Sequence, residues 1–202
     1  MIKILVIDSI TSKSKYTSLN FSSKKPTPDY IEHTDDVLGI IEENINIPPK
    51  TITFTTVHIA ENLSEPYTCG KTHDNLNAVL LWAYSNKEHK FTAIYLGISI
   101  FSVEQDKMNK TEILVNLLGI PIICPAENKK SEIKSDMAYC PSKSNGWVRY
   151  VCSIKNSWDG CVAIEGRKGN EKQRKSEYSS KLSAIYLAEL VNAIYVKKSI
   201  KC

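Results

Sequence analysis

The stretch SEYSSKLSAIYLAELVNAI, residues 176–194, decides how the rest of the chain is read. It opens on a serine cluster and runs directly into an apolar-periodic segment. Leu182, Ile185, Tyr186, Leu190, Ala193 and Ile194 fall mostly on one face at helical spacing, which predicts a closing helix over 179–197. Ser179 or Ser180 then stands at the helix N-terminus. Unpaired backbone N–H groups and the positive end of the helix dipole favour developing negative charge there. Such a serine serves either as a plain N-cap or as a nucleophile, and the stretch alone leaves both open.

Working outward, Ile2 to Ile7 (IKILVI) is a continuous apolar run bounded by Asp8-Ser9, the pattern of a strand buried on both faces. Asp8 falls at its carboxyl end, where open α/β sheets place their sites. Residues 9–30 are rich in Ser, Thr, Lys and Pro and read as a loop. A helix follows over 31–45, with Thr34 or Asp35 as N-cap and His33 immediately before it. Gly39 inside that helix costs about 1 kcal/mol against Ala, which points to close packing. Further strands are expected over 51–59, 91–100, 121–124, 146–154 and 160–164, with helices over 76–84 and 107–118, the latter stopped by Gly119. The alternation predicts one α/β domain over 1–202, three-layered, with a largely parallel sheet and helices on both faces.

Composition narrows the function. A net charge of +4, with lysines scattered among nearly as many acidic residues, gives no reason to expect nucleic acid. The run 167–175 (RKGNEKQRK) reads as a solvated loop. The first apolar run meets Asp8 too early for a signal peptide or a membrane span. The six cysteines lack paired metal spacing and the four histidines are dispersed, so no metal or other cofactor is expected. Reduced thiols in a cytoplasmic protein are the simplest expectation, with disulfide pairing left open.

Several stretches, taken in order, resemble the motifs of subtilisin-like serine proteases (subtilases), whose catalytic order is Asp, His, Ser. ILVIDS, 3–9 with its flanking lysine, is similar to the family's first strand and lays the aspartate on Asp8. HTDDVLG, 33–39, keeps the His, Val and terminal Gly of the second motif and lays the base on His33. AIYLGIS, 93–99, resembles the substrate-binding edge and puts it on Gly97, Ile98 and Ser99. PAEN, 125–128, lays the oxyanion-donating amide on Asn128, and YCPS, 139–142, is a loose counterpart of a following Tyr-Pro pair. YSSKLSA, 178–184, lays the nucleophile on Ser180. The chain departs from the family at Thr34, Asp36, Glu127, Tyr178 and Ala184, where the pattern has Gly, His, Gly, Gly and Pro.

The resemblance implies a serine endopeptidase of narrow specificity, one that trims a leader or precursor peptide bound as an extended strand along 97–99. No pro-segment is expected before the first strand. Ser179 is a rival nucleophile and His73 a rival base. The lost glycines motivate an alternative, a non-catalytic subtilase-like module that binds a peptide or protein partner. A receiver-like α/β domain built on Asp8 is a third reading, weakened by the lack of a second acidic residue beside it.

Overall fold

The computed structural model describes residues 1–61, 70–86, 90–98, 100–102, 104–126, 138–153, 161–164 and 179–200. Its centre is β1 (Ile2–Asp8), in which Ile4, Leu5, Val6 and Ile7 are fully buried. On one side β1 pairs with β3 (Ile52–His58), which in turn pairs with β2 (Thr17–Asn20). On the other side lie β4 (Ala93–Leu96), β6 (Ile122–Pro125), β8 (Val148–Ser153) and β9 (Val162–Ile164). The order is β2-β3-β1-β4-β6-β8-β9, and every pairing is parallel. The chain leaves β1 first toward β3 and then, from β4 onward, on the opposite side. The carboxyl end of β1 is therefore the point where strand order reverses, the place such sheets use for their sites.

Among the described residues four α-helices cover the sheet: α1 (Pro28–Asn44), α2 (Gly70–Ser85), α3 (Gln105–Leu118) and α4 (Ser179–Ile200). Side chains alternate faces along a strand, so β1 serves two cores. Ile2, Ile4 and Val6 join Val37, Leu38 and Ile41 of α1 and Leu182, Leu187 and Val191 of α4. Leu5 and Ile7 join Leu76, Val79 and Leu80 of α2 and Leu114 and Val115 of α3. This is the expected three-layer α/β sandwich. Asp8 continues the even-numbered face, toward α1 and α4.

The departures from expectation have local causes. The 9–30 region contains β2, a short edge strand whose mostly exposed residues hide its pattern. α1 starts at Pro28, with Thr27 as N-cap and proline in the first turn, so His33 lies inside the helix and neither Thr34 nor Asp35 caps it. Thr34 is buried and donates its hydroxyl to the Tyr30 carbonyl, and Asp35 accepts from the Ser12 amide at 3.2 Å and from the hydroxyls of Thr11 and Ser12. The expected strand 91–100 breaks at Gly97. β4 ends at Leu96, and β5 (Ile100–Ser102) pairs antiparallel with β7 (Ala138–Cys140) in a separate two-stranded sheet. Gly119 ends α3 as expected, in the left-handed region at φ 58° with its N–H on the Val115 carbonyl. Cys152 and Cys161 form a disulfide that ties β8 to β9, while Cys124 and Cys140 are buried free thiols. Cys69 and Cys202 lie outside the described residues.

Gly39 does not serve close packing: a methyl group placed there meets nothing within 4 Å. Gly39→Ala should therefore stabilise the protein by about 0.5–1 kcal/mol through helix propensity and unfolded-state entropy. Leu187→Ala, fully buried between α4 and the sheet, should destabilise it by about 2–5 kcal/mol. Urea unfolding of the two variants checks both signs, and a destabilised Gly39→Ala variant contradicts this assignment.

Candidate active site

Asp8 has a side chain only 2% exposed, and its Oδ2 lies 2.8 Å from Nδ1 of His33. A buried carboxylate is costly unless paired and hydrogen-bonded, so the imidazole is a required partner rather than an ornament. His33 is the sixth residue of α1 and keeps 42% of its side chain exposed. One ring nitrogen is thus held by the carboxylate while the ring still reaches solvent. The Asp8 hydrogen bond, and then its charge, push the proton affinity of His33 above the ordinary imidazole value, against the effect of burial. Asp36 adds to the upward shift and Lys181 opposes it.

Gly97 explains how Asp8 fits. Its N–H donates to the Ile7 carbonyl at 2.8 Å, which brings the backbone after β4 directly against the end of β1. A Cβ at position 97 would lie 2.8 Å from Asp8 Cγ and 2.8 Å from Tyr95 Cε1, neither of which is the end of a long flexible chain. Only glycine leaves room for the carboxylate here. Tyr95 itself is fully buried, and its hydroxyl donates to the Ser180 carbonyl at 3.0 Å. Ser183 Oγ donates to the same carbonyl at 2.9 Å. Burial and the Asp8 charge hold the Tyr95 hydroxyl protonated, as this donor role requires. The first turn of α4 is therefore fixed to the strand next to Asp8.

The structure thus brings Asp8, His33 and Gly97 into direct contact and joins Ser180 to them through Tyr95. Among the described hydrogen bonds, none links the Ser180 hydroxyl to His33. Ser180 is partly exposed whereas Ser179 is 4% exposed, which separates the two rival serines by accessibility. Ile98 is buried at the same sheet end, and Ser99 and Asn128 lie outside the described residues. His73 sits elsewhere, buried among α2, α3 and β7, with Nε2 2.8 Å from Thr111 Oγ1 and 3.1 Å from Cys140 Sγ. It does not meet Asp8.

Sequence reasoning missed His58. It ends β3 directly opposite Asp8 in the ladder, is fully buried, and sets its ring edge-on to Tyr30 at 6.2 Å. Neither ring nitrogen makes a well-formed hydrogen bond. Carbonyls of Asp8 and Ala60 draw its proton affinity up, but loss of solvent outweighs them and pushes it below the ordinary value. A histidine within a β-branched strand reads as an ordinary strand residue, so only the register with Asp8 reveals it.

The sequence matches no known family profile and no curated protein. Solved structures are similar across nearly the whole chain. A lanthipeptide protease aligns with a TM-score of 0.56 at 11% identity, covering 93% of this chain and 70% of that one. The PatG macrocyclase domain aligns at 0.53 and 11%, covering 98% and 77%. MycP1 with its N-terminal propeptide removed aligns at 0.57 and 12%, covering 95% and 76%. The fold is subtilisin-like. Identities this low establish the fold and leave the chemistry to the residues. Among the described residues no helix is long and apolar enough to cross a membrane.

The two histidines should titrate on opposite sides of the ordinary value near 6.5. His33, with its folded-state value raised, contributes stability in full below about 6.5 and loses it as pH rises through the folded value. His58, with its value lowered, contributes stability above about 6.5 and loses it as pH falls through the folded value. Proton NMR of the ring resonances checks this, and Asp8→Asn should bring His33 back down. An unmoved His33 in that variant contradicts the pairing.

Proposed function

We propose that this chain is a subtilisin-type serine endopeptidase that processes a peptide precursor. The observation that carries the reading is the buried Asp8 hydrogen-bonded to a partly exposed His33, with the first turn of α4 anchored beside them. In this reading Ser180 Oγ attacks a peptide carbonyl and His33 takes its proton. His33 then returns that proton to the leaving amine and next activates the water that frees the acyl group from Ser180, while Asp8 orients the ring and stabilises the imidazolium. The Ser180 N–H, in the first turn of α4, and the Asn128 amide donate to the oxyanion. The acyl side of the substrate lies as an extended strand along Gly97, Ile98 and Ser99. Two of the similar structures carry names tied to peptides, a lanthipeptide protease and a PatG macrocyclase in complex with a peptide, in keeping with a peptide substrate.

One observation favours a second reading. Among the described hydrogen bonds none joins the Ser180 hydroxyl to His33, which suits a peptide-binding module without turnover. Apo sites often close this bond only when substrate arrives, which keeps the peptidase as the first reading.

Labelling with a fluorophosphonate separates the two. The parent should be labelled at Ser180. Ser180→Ala should abolish labelling, His33→Ala should leave only a slow residual rate, and Asp8→Asn should slow it by roughly 10⁴-fold. Gly97→Ala should also slow it, because its methyl displaces the carboxylate. A parent that folds yet takes no label favours the binding module, and labelling that survives Ser180→Ala overturns the assignment of the nucleophile.

A further inference from the structure

α1 and α4 pack side by side, and a single asparagine fixes their register. Asn192 of α4 donates to the Asn44 carbonyl at 3.0 Å and accepts from the Asn46 amide at 2.9 Å. Both helices start at the carboxyl end of the sheet: His33 of α1 meets Asp8 there, and Ser180 of α4 meets Tyr95. They therefore run in the same direction. Counting back eleven residues from Asn44 gives His33, and from Asn192 gives Lys181. Eleven residues make about three turns, so the faces of α1 and α4 that meet at Asn44 and Asn192 carry His33 and Lys181 about 16 Å closer to the site. The charge of Lys181 is felt at His33, as this geometry requires.

Lys181 is an odd residue for its place. It stands in the first turn of α4, where the helix dipole disfavours a cation, and that turn holds no acidic residue. It is half-buried, and among the described residues no carboxylate pairs with it. A side chain that breaks a local rule beside a reacting group is a candidate for function.

The chemistry of the proposed reaction fixes what Lys181 would meet. The acyl side of the peptide lies over Gly97 and Ile98. The leaving amine must lie beside His33, because His33 protonates it. Lys181 lies on the same side of α4 and close enough for its charge to act on His33, which puts it on the side of the residues that follow the scissile bond. Resting on the peptidase reading above, we propose that Lys181 is a specificity-determining residue, and that the substrate is a peptide carrying a carboxylate side chain within the first two positions after the cleaved bond. Asp36, exposed on α1 one turn beyond His33, carries the opposite charge and works against this preference, so the enrichment expected is that of a single screened pair.

The test is a peptide mixture made by digesting a proteome, incubated with the full chain, with every new terminus read by mass spectrometry. Parent protein should cut with Asp or Glu enriched by roughly two- to fivefold at the first or second following position, the size of one solvent-screened charge pair. Lys181→Met should abolish the enrichment, and Lys181→Glu should reverse it toward Lys and Arg at those positions only. Circular dichroism confirms that the variants fold. Cleavage with no charge preference, or an acidic preference that survives Lys181→Glu, overturns the inference and leaves the peptidase reading standing. A folded parent that cuts nothing and takes no fluorophosphonate overturns both.

Discussion

A carboxylate almost wholly removed from water, at the end of the central strand, constrains everything around it. Asp8 is placed there because β1 is apolar on both faces and must run through the middle of the sheet. Once buried, it needs a charged or donating partner, and His33 supplies one at 2.8 Å. That requirement sets the height of α1 against the sheet. Gly97 must lack a side chain so that β4 can close on the same carboxylate, and Tyr95 must be an aromatic with a hydroxyl so that α4 can be tied to the same spot. One buried charge thus couples β1, β4, α1 and α4.

The two cores on either side of the sheet have different tasks. The α2 and α3 face is held by apolar packing and by a buried polar knot in which Thr111 joins His73 to Asn77. Burial pushes the nearby Cys140 thiol up to about 12, so it stays protonated and inert. The α1 and α4 face carries the groups that meet solvent at the carboxyl end. Its helices run in the same direction and are pinned far from the site by Asn192. The separation lets one face provide rigidity while the other presents His33 and Ser180.

The α/β class, the layers and the place of Asp8 were legible because a buried parallel strand has an unmistakable apolar run, and because Gly119 stops a helix by a known backbone geometry. His33 was legible through its spacing to Val37 and Gly39, although the helix start was misplaced. Pro28 begins α1 with no side-chain cap, whereas Thr34 and Asp35 look like caps and are used instead inside the helix and to anchor the loop after β1. β2 was not legible, since an exposed four-residue edge strand carries no core pattern. The break at Gly97 was hidden because its cause is a contact with Asp8, some ninety residues earlier in sequence. The place of His58 opposite Asp8 is set by register between strands, which no local pattern encodes.

In the proposed peptidase, Asp8 and His33 act as one unit on Ser180. A double-mutant cycle on the rate of fluorophosphonate labelling tests it most directly, using Asp8→Asn, His33→Ala and the pair together. Groups that act as a unit are strongly non-additive, so the double variant should be no slower than His33→Ala alone. Losses that simply add would contradict the claim, for they would mean that Asp8 supports labelling by some route other than His33.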